Sequence, residues 1–315
     1  MLRGGVDRVA LGSFLGCALL GGGNAVGVRF SNRELDPLWG AALRFGGASL
    51  VLLLLMAVLR VGFPRGRALA GAALFGTLNF GVTSALAYYA LVHIHAGLGQ
   101  TVLALVPLVT LLLAAAQRQE RFRASAVFGT LLAATGVALV SRAPLQADVP
   151  VASLLAVFGA VLCFAQAAVL VRRFPHVHPV AMNAVGMSAA TLLLFAGSRA
   201  AGDRWELPER AATWWAVAYM VLAGSVLTFV LYLVVIDHWG ASRAAYVFVV
   251  IPPVTILLSA RLDAEPLSAS LLLGTPLILL GVYLGALRGG SGGAGRPADG
   301  APGDPAPGGR SERRA

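Results

Sequence analysis

AGLGQTVLALVPLVTLLLAAAQRQERFRASAVFGTLLAATG, residues Ala96–Gly136, is written a second time as ASRAAYVFVVIPPVTILLSARLDAEPLSASLLLGTPLILLG, residues Ala241–Gly281. At a shift of 145 positions the two stretches superpose without a gap. Pro107 falls on Pro252, Val109-Thr110 on Val254-Thr255, Glu120 on Glu265, Gly129 on Gly274 and Gly136 on Gly281. Just upstream, His93 meets His238. Each copy reads as an apolar helix interrupted by proline, an acidic residue at its exit, and a second helix with glycines seven apart. Agreement of proline, glutamate and two glycines at one offset marks an internal duplication. In a strongly apolar chain, a duplication points to a transporter built from repeats.

Composition carries the same message. Over 315 residues, 58% are hydrophobic and 12% charged, and the mean hydropathy is +0.80. Charged residues cluster between apolar runs, most of which approach the ~20 residues a helix needs to cross a bilayer. A net charge of +10 would suggest nucleic acid in a soluble protein. Here every basic residue is arginine, placed in short loops and the tail where anionic lipid headgroups can meet it. No nucleic-acid partner is expected. Cys17 and Cys163 fall inside apolar runs, outside any CxxC pair, and read as small buried residues. Neither a cofactor nor a metal is expected.

The fold class predicted is an all-α integral membrane protein. Its spans are placed at 9–28, 37–59, 68–92, 96–117, 124–141, 151–171, 179–198, 213–236, 241–261 and 268–287. Lipid satisfies no backbone hydrogen bonds, and the alternation of barrel strands is absent, so the spans are helices. Residues 1–8 precede the first five-helix repeat (9–141); the second repeat covers 151–287, and 288–315 form a Gly/Pro-rich tail expected to be disordered. The earlier parts of the repeats align at a shift of 142, which brings Pro37 onto Pro179 and Asn24 onto Gln166. Five spans per copy is odd, so the second copy enters the membrane inverted. The arginine bias is 16 on the N-terminal side against 7 on the other, which predicts both termini in the cytoplasm.

These residues resemble the EamA-type transporters of the drug/metabolite transporter superfamily. The likeness rests on mid-helix Pro107 and Pro252, on Glu120 and Glu265, on the following glycines, and on "ALAYYALVHIHAGLGQTVLALVPLVTLLLAA" and "LWGAALRFGGASLVLLLL". The resemblance implies a multi-pass protein of the inner (plasma) membrane. It further implies secondary export or exchange of a small organic metabolite, an amino acid or drug-like solute, without ATP or a prosthetic group. Pairing of two copies into a homodimer is compatible with it. The rival is a membrane-embedded enzyme acting on a lipid or lipid-linked substrate. That would need paired carboxylates, a buried Ser/His pair or a metal motif, and none is found within the spans.

Polar residues inside the spans are the site candidates, because a polar group in lipid is costly unless it faces protein or a wet cavity. Asn24 and Gln166 either line a central cavity from the two halves or join helices. Asn79, Thr83, Tyr88 and Tyr89 in the third span, with Gln100 and Thr101 in the fourth, form the densest polar cluster. Ser225, Thr228 and Tyr232, then Tyr246 and Thr255, occupy the corresponding stretch of the second copy. Tyr88 and Tyr89 suit a cavity or an interfacial belt. Arg44, seven residues inside the second span, either snorkels to the headgroups or supplies a fixed charge that attracts an anion. Pro107 and Pro252 are expected as hinges, since each removes a helix hydrogen bond. Glu120 and Glu265 read as solvated ion pairs or loop caps, with Arg261 the nearest cation in sequence to Glu265. His93 and His238 read as turn residues.

Overall fold

The computed structural model describes residues 8–119, 124–146, 150–239 and 247–284. The chain forms α1 (Arg8–Ser31), α2 (Pro37–Val58), α3 (Arg67–Gly76, Thr77–Val82 and Thr83–Ala90) and α4 (Ala96–Leu103 and Val106–Ala116). Then follow α5 (Ala124–Gln146), α6 (Val151–Val171), α7 (Pro179–Ala201), α8 (Ala211–Val221, Leu222–Leu227 and Thr228–Trp239), α9 (Val247–Leu262) and α10 (Ala269–Val282). No strand occurs among the described residues. Among the described residues, seven helices are long and apolar enough to cross a membrane, and the apolar stretches Val127–Val140, Val247–Leu262 and Ala269–Val282 are shorter. The outer surface is itself apolar, with Leu192 73% and Trp215 76% exposed. Water would not tolerate a surface of that kind, and lipid would.

Local chemistry explains the helix ends. Pro37 and Pro179 open α2 and α7, where the missing N–H is no loss. Gly202 ends α7 at φ +78, a left-handed turn that favours glycine. The Ser268 hydroxyl accepts from the Leu271 N–H at 3.2 Å and caps α10.

The seven-spaced glycines meet one another. A Cβ at Gly136 would stand 2.8 Å from the Gly274 carbonyl, and one at Gly281 would stand 2.6 Å from the Gly129 carbonyl. Backbones can approach this closely because no side chain separates them. The pairing of 129 with 281 and of 136 with 274 makes α5 and α10 antiparallel. It is also self-complementary, each position meeting its partner's counterpart. The remaining contacts exchange in the same manner. Helix α2 packs on α7; α1 lies against α8 and α9, as α6 lies against α3 and α4.

One feature has no signature in hydropathy. Thr77–Val82 in α3 and Leu222–Leu227 in α8 are π-helical, at the same offset as the repeat. A π turn absorbs one extra residue and shifts carbonyls out of the regular ladder. Equivalent threonines seal equivalent positions: the Thr83 hydroxyl donates to the Leu78 carbonyl at 2.8 Å, and Thr228 donates to Ala223 at 2.7 Å.

Two expectations need correction. The eighth helix runs on through His238, whose Nδ1 lies 2.9 Å from the Val234 carbonyl, so this histidine is not in a turn. Helix α5 runs on to Gln146, beyond the apolar stretch that ends at Val140. The two prolines are not alike: α4 is interrupted at Ala104 and Leu105, just ahead of Pro107, whereas α9 is continuous through Pro252 and Pro253. The tail, Glu120 and Tyr246 lie outside the described residues.

Candidate functional site

Asn24 of α1, Arg44 of α2 and Ser225 of α8 converge inside the bundle. The Asn24 Nδ2 donates to the Gly224 carbonyl at 3.0 Å, and this bond fixes the amide. Its Oδ1 is thereby turned to accept from Arg44 Nη2 at 3.0 Å. The remaining Arg44 contacts are weaker: Nε to Ser225 Oγ at 3.3 Å, and Nη1 to the Met220 sulfur at 3.8 Å. Arg44 is half-buried and points inward rather than snorkelling to the headgroups. The second copy has Gly186 at the matching position, lying against Gly76 of α3 backbone to backbone. One half is thus closed by glycine packing where the other carries a cation.

Aromatic residues enclose this centre. Tyr88 is 1% exposed, and its hydroxyl donates to the Met220 sulfur at 3.5 Å, so it shares an acceptor with Arg44. Tyr89, 44% exposed, instead faces outward like an interfacial-belt residue. The Arg44 guanidinium carbon lies 5.1 Å from the centroid of the Phe45 ring, and Phe45 lies 5.7 Å from Phe80. The Tyr219 hydroxyl donates to the Leu20 carbonyl at 2.6 Å. Tyr219, Met220 and Gly224 were not among the residues expected from sequence. Methionine and glycine carry no polar signal, and Tyr219 sits in an aromatic run with Trp214 and Trp215 that reads as belt. The repeat offset, which lays Gly224 on Asn79, was the one signal that marked Gly224.

Other expected residues are dispersed. Gln166 does not join Asn24; its Oε1 accepts from Gln117 Nε2 at 2.9 Å, and Arg173 donates to Gln117 Oε1 at 2.9 Å. Buried Asn79 has an Oδ1 with no hydrogen-bond partner among the described residues. Thr101 and Thr255 are fully buried and donate to the carbonyls of Gly97 and Gly22. Tyr232 packs edge-on to Phe248 at 6.2 Å, near Cys17. Gln100 makes no side-chain hydrogen bond among the described residues.

A charged lock ties α1, α4 and α9 at one end of the bundle. Arg29 Nε lies 2.5 Å from Asp263 and 3.1 Å from Glu265, and Arg29 Nη1 donates to the Ile94 carbonyl at 2.7 Å. Arg33 pairs with the same Asp263. Glu265 accepts from the N–H groups of Ala96 at 2.7 Å and Gly97 at 3.3 Å, capping α4, with His95 at 3.5 Å. Its side chain is 4% exposed, so the cap is buried and not solvated. Its cation is Arg29 and not Arg261. Burial pushes the Glu265 carboxyl up, but His95, the Ala96 N–H, Ser259 and the Gly97 N–H outweigh it, and the net displacement is downward.

Apolar helices with a lipid-compatible exterior and a polar centre shared by two repeats define a multi-pass membrane protein of transporter type. The model of the EamA-like transporter family matches residues 9–142 and again 151–286, so the chain belongs to that family. The chain is 27% identical over 270 residues to an uncharacterized transporter of Archaeoglobus fulgidus, covering 82% of this chain and 91% of that one. It is 26% identical over 258 residues to the uncharacterized inner membrane transporter YedA of Escherichia coli K12, covering 82% and 84%. It is 25% identical over 277 residues to the uncharacterized transporter YyaM of Bacillus subtilis, covering 85% and 90%. A solved crystal structure shares the fold, with a TM-score of 0.63 at 18% identity over 89% of this chain and 98% of that one.

Proposed function

We propose that this chain is a secondary carrier that exports or exchanges a small organic solute across the inner membrane by alternating access. In this reading ten spans form two inverted five-helix repeats, with both termini in the cytoplasm. The observation that carries it is the Asn24–Arg44–Ser225 centre, because these residues come from both repeats and lie on helices that pack across the repeat boundary. A solute held there is touched by both halves, so rocking one half against the other exposes it to either side in turn. The antiparallel α5–α10 seam supports the inversion, since equivalent helices of inverted repeats must run oppositely. The Arg29–Asp263–Glu265 lock supports a state closed at the end predicted to be outside. Asn79, Thr83, Gln100, Thr228 and Tyr232 extend the polar lining in this reading, Gln166 closes the opposite end, and Pro107 is the hinge.

Two measurements test it. Single cysteines placed at Ser225 and Asn24, after replacement of Cys17 and Cys163, should react with membrane-impermeant reagents added from either face. Reaction from one face only, under all solute conditions, removes alternating access. Reporter fusions at 70 and 215 should enter from opposite faces, and entry from the same face defeats the inverted arrangement.

A further inference from the structure

Arg44 differs in what it meets from the arginines that form ion pairs among the described residues, and unlike the exposed Arg173, which meets the Gln117 amide, it lies inside the bundle. Arg29, Arg33 and Arg210 each face a carboxylate: Asp263 and Glu265, Asp263, and Glu34 respectively. Arg44 meets an amide, a hydroxyl and a thioether, all neutral, and has no ion-pair partner among the described residues. A cation held inside a membrane bundle without a counter-charge is unfavourable, and such residues mark substrate pathways. The geometry shows which contacts a ligand would replace. The Asn24 bond is short and its amide is fixed by Gly224, whereas the thioether is a weak acceptor held at 3.8 Å. An oxyanion entering beside Met220 would exchange that contact for parallel bonds to the guanidinium.

We propose that the solute bound here is a monocarboxylate, whose carboxylate pairs with Arg44 in place of the Met220 sulfur. The proposal rests on the reading of the chain as a carrier and adds the class of its cargo. Three observations narrow the class. The chain contains no lysine, and Arg44 is the one arginine deep in a described span, so a doubly charged phosphate ester would keep one charge unmatched. The Asn24 and Ser225 oxygens are already engaged by Arg44, and no acidic side chain among the described residues is paired there, so an ammonium group gains no counter-charge. The guanidinium lies 5.1 Å from the Phe45 ring and shares the Met220 sulfur with Tyr88, so a solute that displaces that sulfur meets aromatic rings.

The test uses the purified full chain in detergent, reading ligand-induced shifts of the unfolding temperature. The probes are phenylacetate, butyrate, phenylacetamide, phenylalanine, phenethylamine and phenyl phosphate. The carboxylates should stabilise the wild type and phenylacetamide should not. Arg44→Lys should weaken phenylacetate roughly tenfold or more, because a point charge cannot make the paired bonds, and Arg44→Gln should abolish it. Equal binding of phenylacetamide and phenylacetate overturns the proposal. So do preference for the zwitterion, the amine or the phosphate, binding retained by Arg44→Gln, or no response to either carboxylate. Should Arg44→Gln lack a cooperative melt, the acid-against-amide comparison on the wild type decides alone. Counterflow in proteoliposomes separates this from the carrier reading. Movement of phenylacetamide with unchanged rate in Arg44→Lys sinks the carboxylate and keeps the carrier, whereas carboxylate binding without movement keeps the site and sinks the carrier.

Discussion

Replacing Gly224 by alanine tests the central geometry with a single methyl group. A Cβ there would stand 2.9 Å from the Asn24 Cγ, and closer still to its Oδ1, where ordinary contact begins at 3.4 Å. The amide must retreat by about 0.5 Å at Cγ and further at its oxygen. Both of its bonds, each 3.0 Å long, run through that amide, so neither keeps its geometry. A neutral hydrogen bond in a membrane protein contributes ~0.6 kcal/mol and one to a charged group about 1.5–3 kcal/mol. Gly224→Ala should therefore destabilise by roughly 2–4 kcal/mol. A double-mutant cycle read by unfolding in detergent isolates the cause. In an Asn24→Ala background the added methyl has room, so Gly224→Ala should then cost little. If it destabilises equally in both backgrounds, or not at all in the wild type, Asn24 is not held as described.

Glu265 gives a pH signature. Its carboxyl sits below the ordinary value of 4.5, so its contribution is fully present above about that pH and is lost as pH falls through the depressed folded value. Thermal stability should drop on acidification below 4.5, and Glu265→Gln should flatten that drop; parallel curves for the two proteins would contradict the lock. Pro107→Ala restores an N–H that can reach the Leu103 carbonyl and join the two parts of α4. Transport in proteoliposomes should slow several-fold for Pro107→Ala and less for Pro252→Ala, whose helix is already continuous; equal effects would show that the break ahead of Pro107 does not matter.

The duplication was legible because glycine, proline and glutamate have backbone consequences that survive as letters. Gly129, Gly136, Gly274 and Gly281 sit where two backbones meet, and no other residue fits there. Asn24, Arg44 and Ser225 were legible as polar letters in apolar text, but not as one cluster, because their convergence depends on how α1, α2 and α8 pack. The offset that matched Asn24 with Gln166 predicted equivalent places and not a shared contact, and the two amides found different partners. Asp263 and Arg29 are 234 residues apart in sequence, and nothing local announces their pairing. The π segments were invisible, since an extra residue in a turn changes no hydropathy window.

The α5–α10 seam also constrains how the molecule can move. Gly136 against Gly274 and Gly129 against Gly281 bring the two backbones into contact, with Ile278 and Val140 packed beside them. Drawing the two helices apart at these positions would lose their close contacts, which dispersion forces oppose. Rolling one over the other keeps the surfaces touching. The seam is therefore built as a bearing rather than a door.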